Sequence, residues 1–324
     1  MAMSSYTTAQ IAGMTTSTIS ALSTDTIGGF TSSQVAALTA AQAKALTTDE
    51  IGALTSANVV GLTTAALAAL SSTQVAALSS ATEAALSSSA IAALSSAGLA
   101  GLTAAELGAA VLDLKASQIA SLGTAVIAGL TTDQVDALTT AQVAALTTAQ
   151  VAALGNNIAA FTSTEVKTLT AAQAKALTTD EIGALTSANV VGLTTAALAA
   201  LSSTQVAALS SDNIIGFTPT QFVALTSQAI ATLTSAEIGG LAPATLSALT
   251  GKEFDAITTS ALQGLTAAEM GALHTEVIAA INSSQIPVLG SIALSGLSNT
   301  QIAAFTGNQI SQMTGSERTL LWGS

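Results

Sequence analysis

The chain contains no cysteine. That excludes a disulfide framework and any thiolate metal site. Charged residues make up 7% of 324 positions, and only six are Lys or Arg. With a net charge of −12 and no basic cluster, the sequence has nothing to track a phosphate backbone, so nucleic acid is not an expected partner. The same count argues against docking on an anionic membrane surface. Aromatics are 2%, with one Trp (Trp322) and one Tyr (Tyr6). There is one histidine, His274, so a second His for a zinc site is missing, and no Ser-His-Asp arrangement stands out. Walker, dinucleotide, nucleophile-elbow, EF-hand and calcium-nonapeptide patterns are also absent. No apolar run approaches the roughly 18 residues of a membrane span. The first residues show no basic n-region and no apolar h-region, so no classical signal peptide is expected. No catalysis, cofactor or metal is expected.

What is present is a short word repeated. Residues 138–146 read Leu-Thr-Thr-Ala-Gln-Val-Ala-Ala-Leu, and the same eight residues follow again up to Leu154. A large apolar marker recurs every eight positions from Met14 to Leu102, from Leu122 to Leu154, and from Phe161 to Leu321. A fixed short period is the signature of an array, in which each unit buries its apolar face only against neighbours.

The physics of one octad points to a capped helix. Thr139 and Gln142 form the S/T-x-x-Q pattern of a capping box, in which hydroxyl and side-chain carbonyl each accept a free backbone N–H. Leu138 and Val143 stand at the spacing of a hydrophobic staple across the same helix start. The variations agree. Acids such as Asp49, Glu50, Asp180 and Glu181 fall in first turns, and Lys44 and Lys175 in last turns, which suits the helix dipole. Pro219 and Pro243 fall at the first helical position. Gly29, Gly61, Gly129 and Gly192 fall where the chain leaves the helix. Pro287 lands inside its octad and should distort it.

Other folds fit worse. In one continuous helix eight residues turn through about 800°, and the apolar stripe drifts by about 80° per octad. In a β-solenoid, spacings of five and three put large residues on opposite faces, and Ala is depleted in strands. The expected fold is therefore all-α: a solenoid of very short capped helices, one per octad, running as one continuous body over residues 1–324. Isolated helices below about 12 residues are marginal in water, so each octad must share its core with others.

Two places break the period. Leu102 to Leu114 spans twelve residues, with Lys115 at the next cap position, and one longer helix is expected over 102–122. Leu154 to Phe161 spans seven, with Gly155-Asn156-Asn157 at the corner. Residues 38–80 recur unchanged as 169–211, which reads as a segmental duplication.

Few residues invite a chemical role. His274 sits at a cap position and is read as a cap or surface residue. Asp49/Glu50 and Asp180/Glu181 are adjacent carboxylates explained by their first-turn position. Glu83 replaces the staple valine, and a bulged or exposed octad is expected there. Asn282-Ser283-Ser284 matches a glycosylation sequon. The lattice of Thr/Ser pairs suggests ice or crystalline polysaccharide as a ligand, although the first hydroxyl of each pair is needed as a cap. The terminal octads carry no charged capping unit, unlike solenoids that stay monomeric. Tyr6, Ile11 and Met14 at one end, and Ile310, Met313, Leu320, Leu321 and Trp322 at the other, are therefore the candidate self-assembly interface. Its partner would be a second copy stacked head to tail, a contact that propagates into a filament.

Octads of the form L-T-T-x-[Q/E]-[V/I]-A-A resemble repeat tracts of large bacterial surface and secreted proteins, some described as adhesion-related. The resemblance covers nearly the whole chain. It implies an extracellular or cell-surface location and carries no active-site residues. The function expected is that of a structural subunit of a filament, sheath or surface layer. The alternative is a monomeric adhesive module using one face on a glycan, ice or a host surface.

Overall fold

The computed structural model describes residues 6–323. Among them are short α-helices of four to eight residues and a few 3-10 segments, with no strand. No described helix is long and apolar enough to cross a membrane. The chain groups into two compact units, Met1–Leu154 and Gly155–Ser324, and the boundary falls on the seven-residue step. Each unit is a solenoid of octads.

One octad shows how the local structure forms. The helix Thr140–Ala145 is capped by Thr139 in extended backbone. The Thr139 N–H donates to Gln142 Oε1 at 2.8 Å, and the Gln142 N–H donates to Thr139 Oγ1 at 3.3 Å. Both partners of the box are thus in place. Leu138 is 3% exposed and Val143 fully buried, as a staple requires. The helix stops at Leu146, whose backbone is again extended and whose N–H bonds back to Val143 O. Thr147 then caps the next helix. Some helices end directly on extended backbone, as at Leu70 and Leu201, and others on a residue still in the right-handed region, as at Ala37 and Ala137, rather than on a left-handed glycine cap. Among the described residues only Gly108, Gly155 and Gly323 have positive φ.

The expected role of Gly61 and Gly192 changes accordingly. Both leave their turns with negative φ, but a side chain there would run into the backbone of Ser32 and Ser163 respectively. They are glycines because two layers of backbone approach closely.

The coils are joined by a contact that the octad pattern alone does not reveal. Gln142 uses its oxygen in its own capping box. Its Nε2 donates to Val111 O at 3.0 Å and Leu114 O at 2.8 Å, 31 and 28 residues earlier. Gln150 repeats this on Ile119 and Leu122, and Gln42 on Ile11 and Met14. In the second unit Gln285, Gln301 and Gln309 do the same. Separations of 28 to 31 residues lie between three octads and four, which sets the coil. Shorter side chains at this position, Asn58, Asn189 and Thr82, reach the same carbonyl column. Inside it, the Val/Ile column and the marker Leu column form the core.

The single long helix expected over 102–122 is not there. Residues Ala104–Leu107 form one turn, Gly108–Asp113 a 3-10 segment, and Ala116–Ile119 a separate helix. Gly108 adopts φ of 49° and turns the chain. Lys115 offers no hydroxyl, yet its N–H still donates to Gln118 Oε1 at 2.8 Å. Half a capping box suffices to start the helix. The octad of Pro287 is the 3-10 turn Ile286–Val288, but the proline-free octads at Val59–Gly61 and Val190–Gly192 take the same form, so the proline is accommodated rather than the cause.

The duplicated segments lie one in each unit and fold closely alike, although Thr48–Gly52 corresponds to a longer helix, Thr179–Ala184, and one carboxylate contact differs. Glu50 and Glu181 each accept the cap N–H through Oε2. Glu181 Oε1 also accepts from the Gly155 N–H at 2.9 Å. Glu50 Oε1 is buried with no partner. A glutamine amide at Glu50 would match the donors that reach carbonyls 28 and 31 residues earlier elsewhere. We expect Glu50→Gln to stabilise its unit by about 1–2 kcal/mol, and Glu181→Gln to destabilise its own by about 1–3 kcal/mol, because an amide would face the Gly155 N–H. Thermal unfolding, with amide exchange followed at Gly155, tests the opposite signs. The same sign in both would be incompatible with this account.

Candidate functional site

Besides the seven-residue step already described, two places depart from the uniform array: the terminal coils and the twelve-residue step.

At the low-numbered end Tyr6 is half-buried, edge-on to Phe30 with ring centroids 6.4 Å apart. Its carbonyl accepts from Gln34 Nε2 at 2.6 Å. Ile11 is fully buried in its own coil, and Met14 is partly exposed. Gln10 is exposed. Its oxygen closes the box on Thr7, and no bond from its amide to a described carbonyl matches those Gln42 makes.

At the other end Trp322 packs edge-on against Phe305, again at 6.4 Å, and is 43% exposed. Leu320 is 46% exposed, Leu321 and Ile310 are half-buried, and Met313 is buried. A cleft of about 550 Å³ lies between Ile310, Arg318, Thr319 and Trp322. Arg318 Nη1 donates to Met313 O at 3.0 Å and leans on Ile310 O at 3.5 Å. Those two carbonyls are the counterparts of Ile11 O and Met14 O. Arg318 therefore occupies the acceptor pair that a glutamine amide takes elsewhere, a role that the octad pattern does not suggest. Of the eight residues proposed for the interface, Ile11 and Met313 are committed to their own cores and cannot meet a second copy. Tyr6 and Trp322 each cover a neighbouring phenylalanine; Trp322 and Leu320 keep exposed apolar area.

The second place centres on Glu83. The expectation of a bulged or exposed octad is wrong. Glu83 ends a regular turn, Ser80–Glu83, and is 2% exposed, in a column filled elsewhere by apolar residues, most often Val, Ile or Leu. It stays buried because it has found a partner. It shares a hydrogen bond with Glu106, the box residue of Thr103. His274, by contrast, sits at the N-cap of Thr275–Ala280 without a side-chain capping bond, as a surface cap.

The electrostatics separate the two carboxyls. Burial, reinforced by the hydrogen bond and the charge of Glu106, pushes Glu83 up to about 8. Burial also opposes the charged form of Glu106, but hydrogen bonds from Thr103 and Glu83 outweigh it and hold that carboxyl below the ordinary range. At neutral pH one proton is shared, carried by Glu83 and donated to Glu106. The signal for this pair was in the sequence: an acid in an apolar column, and a second acid, Glu106, just inside the break in period that follows Leu102.

The pair has a pH signature. Unfolding lets Glu83 release its proton from about 4.5 upward, whereas the folded protein holds it to about 8. The stabilisation is complete below the lower value and is lost as pH rises towards the upper one. Thermal melts between about pH 5 and pH 9 should show a falling midpoint for the wild type. Glu83→Val should melt higher and remove that slope. An unchanged slope in the variant would rule the pair out as its source.

Comparison with known proteins supports the repeat and no more. None of the curated proteins compared matches the chain. A family model described as ALTTAQ repeat matches residues 44–80, 113–148 and 187–219, so these three tracts are octapeptide repeats of the ALTTAQ type.

Proposed function

We propose that this protein is a structural subunit that assembles end to end, outside the cell, into a filament, sheath or surface layer. One observation carries the reading: coil-to-coil contact is made by repeated residues, so the donor edge of one coil matches the acceptor edge of any other. Gln10 presents a donor at one end of the described residues. At the other, no described side chain donates to Leu297 O or Phe305 O, although equivalent carbonyls such as Leu273 O and Ile281 O receive glutamine amides. Exposed Leu320 and Trp322 add apolar area beside that edge. Such a contact is heterologous, the class of contact that propagates into a filament wherever its rotation does not close a ring. Arg318 closes the last carbonyl pair, which limits the contact to the preceding octads. An extracellular location rests on the resemblance of the octads to surface-protein repeats.

A second reading has its own support. Thr140 and Thr148, the second members of their pairs, are exposed, and the capping boxes use the first members, Thr139 and Thr147. A face of spare hydroxyls suits a monomeric module that binds glycan or ice.

Light scattering against concentration, followed by electron microscopy, separates the two. We expect mass to grow with concentration, filaments to form, and the fluorescence of Trp322 to shift to the blue on assembly. Gln10→Glu combined with Trp322→Asp should hold the protein as single copies. A constant single-copy mass at high concentration, with Trp322 still solvent-exposed, would defeat the filament reading. Glycan or ice binding by such single copies would establish the other.

A further inference from the structure

The twelve-residue step opens a cavity of about 430 Å³, bounded by Glu83 and Glu106, the hydroxyl residues Ser80 and Ser88, and the aliphatic Leu86 and Ile91. We infer that this cavity is a binding site for a small primary ammonium ion with a short aliphatic stem.

The argument starts from an unmet bond. Glu83 is 98% buried, and its Oε2 has no hydrogen-bond partner. A buried polar atom left without a partner is costly, and native proteins leave few. The missing partner is a donor. The charge of Glu106 makes a cationic donor fit better than a neutral one, because no Lys or Arg is among the residues bounding the cavity. An ammonium group offers three N–H bonds, enough for both carboxyls and one serine hydroxyl. Leu86 and Ile91 give the stem an apolar wall. A hard divalent metal fits poorly. Calcium takes about six to eight oxygens, and no group of three His, Cys, Asp or Glu able to hold a metal occurs among the described residues.

The neighbouring charges do not alter this. Asp113 ends the 3-10 segment Gly108–Asp113 and is exposed. Neither it, Lys115, nor Asp49 and Glu50 of the helix Thr48–Gly52 borders the cavity. Glu83 and Glu106 are the titratable groups that do. Binding an ammonium ion replaces the shared proton: both carboxyls become charged, the ligand keeps its own protons, and one proton leaves to solvent. Below the titration of Glu83, affinity should therefore rise by up to about tenfold per pH unit and then level off.

Isothermal titration of the full chain with butylammonium chloride tests the inference, in two buffers of different ionisation enthalpy. We expect binding with close to one proton released per ligand near neutral pH, strengthening as pH rises. Tetramethylammonium, which has no N–H, should bind at least tenfold more weakly. Glu83→Val, which fills the apolar column, should lose the binding at least tenfold while keeping its helical circular dichroism. Glu83→Gln should retain the fold and lose the proton release. Equal affinity for tetramethylammonium, undiminished binding in Glu83→Val, saturation by calcium chloride instead, or no heat at millimolar butylammonium would each overturn it.

Discussion

The fold depends on one side chain that works at both ends. At the third helical position glutamine accepts the cap N–H with its oxygen and donates to the coil beneath with its nitrogen, as Gln142 does on Thr139, Val111 and Leu114. The first contact starts a helix, and the second sets where that helix lies. Helices of four to six residues have no independent stability, because nucleation is unfavourable and most of each helix is cap. Joining both tasks in one residue means that the local fold and the stacking form together. The staple pair Leu138 and Val143 then buries apolar surface that neither would hold alone.

Much of this was legible because the signals are short-range. Box, staple, first-turn acid and N-terminal proline each lie within one octad, and the helices follow from them. The coil was not legible, because a separation of 28 residues leaves no mark within eight letters. The clue was the preference for glutamine where glutamate would serve the box equally well. Lys115 misled for a related reason: the hydroxyl is one half of the box, and the backbone N–H supplies the other. The glycines misled in the opposite sense. Gly61 and Gly192 look like helix ends, yet the demand on them comes from Ser32 and Ser163 in neighbouring layers.

The candidate site was legible in part. Of the residues expected to meet a second copy, Ile11 and Met313 are buried in their own coils, which removes them from any interface. Whether a residue on an amphipathic turn faces its own core or a free edge depends on the pitch of the coil, which the octad does not encode. Arg318 stood out only as the end of the pattern. Its role becomes visible once the carbonyls of Ile310 and Met313 are recognised as the acceptors that every other coil supplies to a glutamine.

A strictly periodic array cannot make a unique place, since every environment recurs. Uniqueness enters only where the period fails. At the seven-residue step Gly155 turns back with φ of 56° and gives its N–H to Glu181, which its duplicate Glu50 lacks. At the twelve-residue step Gly108 turns the chain beside Glu106, and Glu83 in the core column finds a carboxylate to share its proton. In both cases a left-handed glycine frees backbone from the regular ladder, and a carboxyl that the repeat leaves half-satisfied stands next to it. Among the described residues the two carboxyls that depart most from the repeat therefore stand at its defects, and the larger defect is the one that opens a cavity.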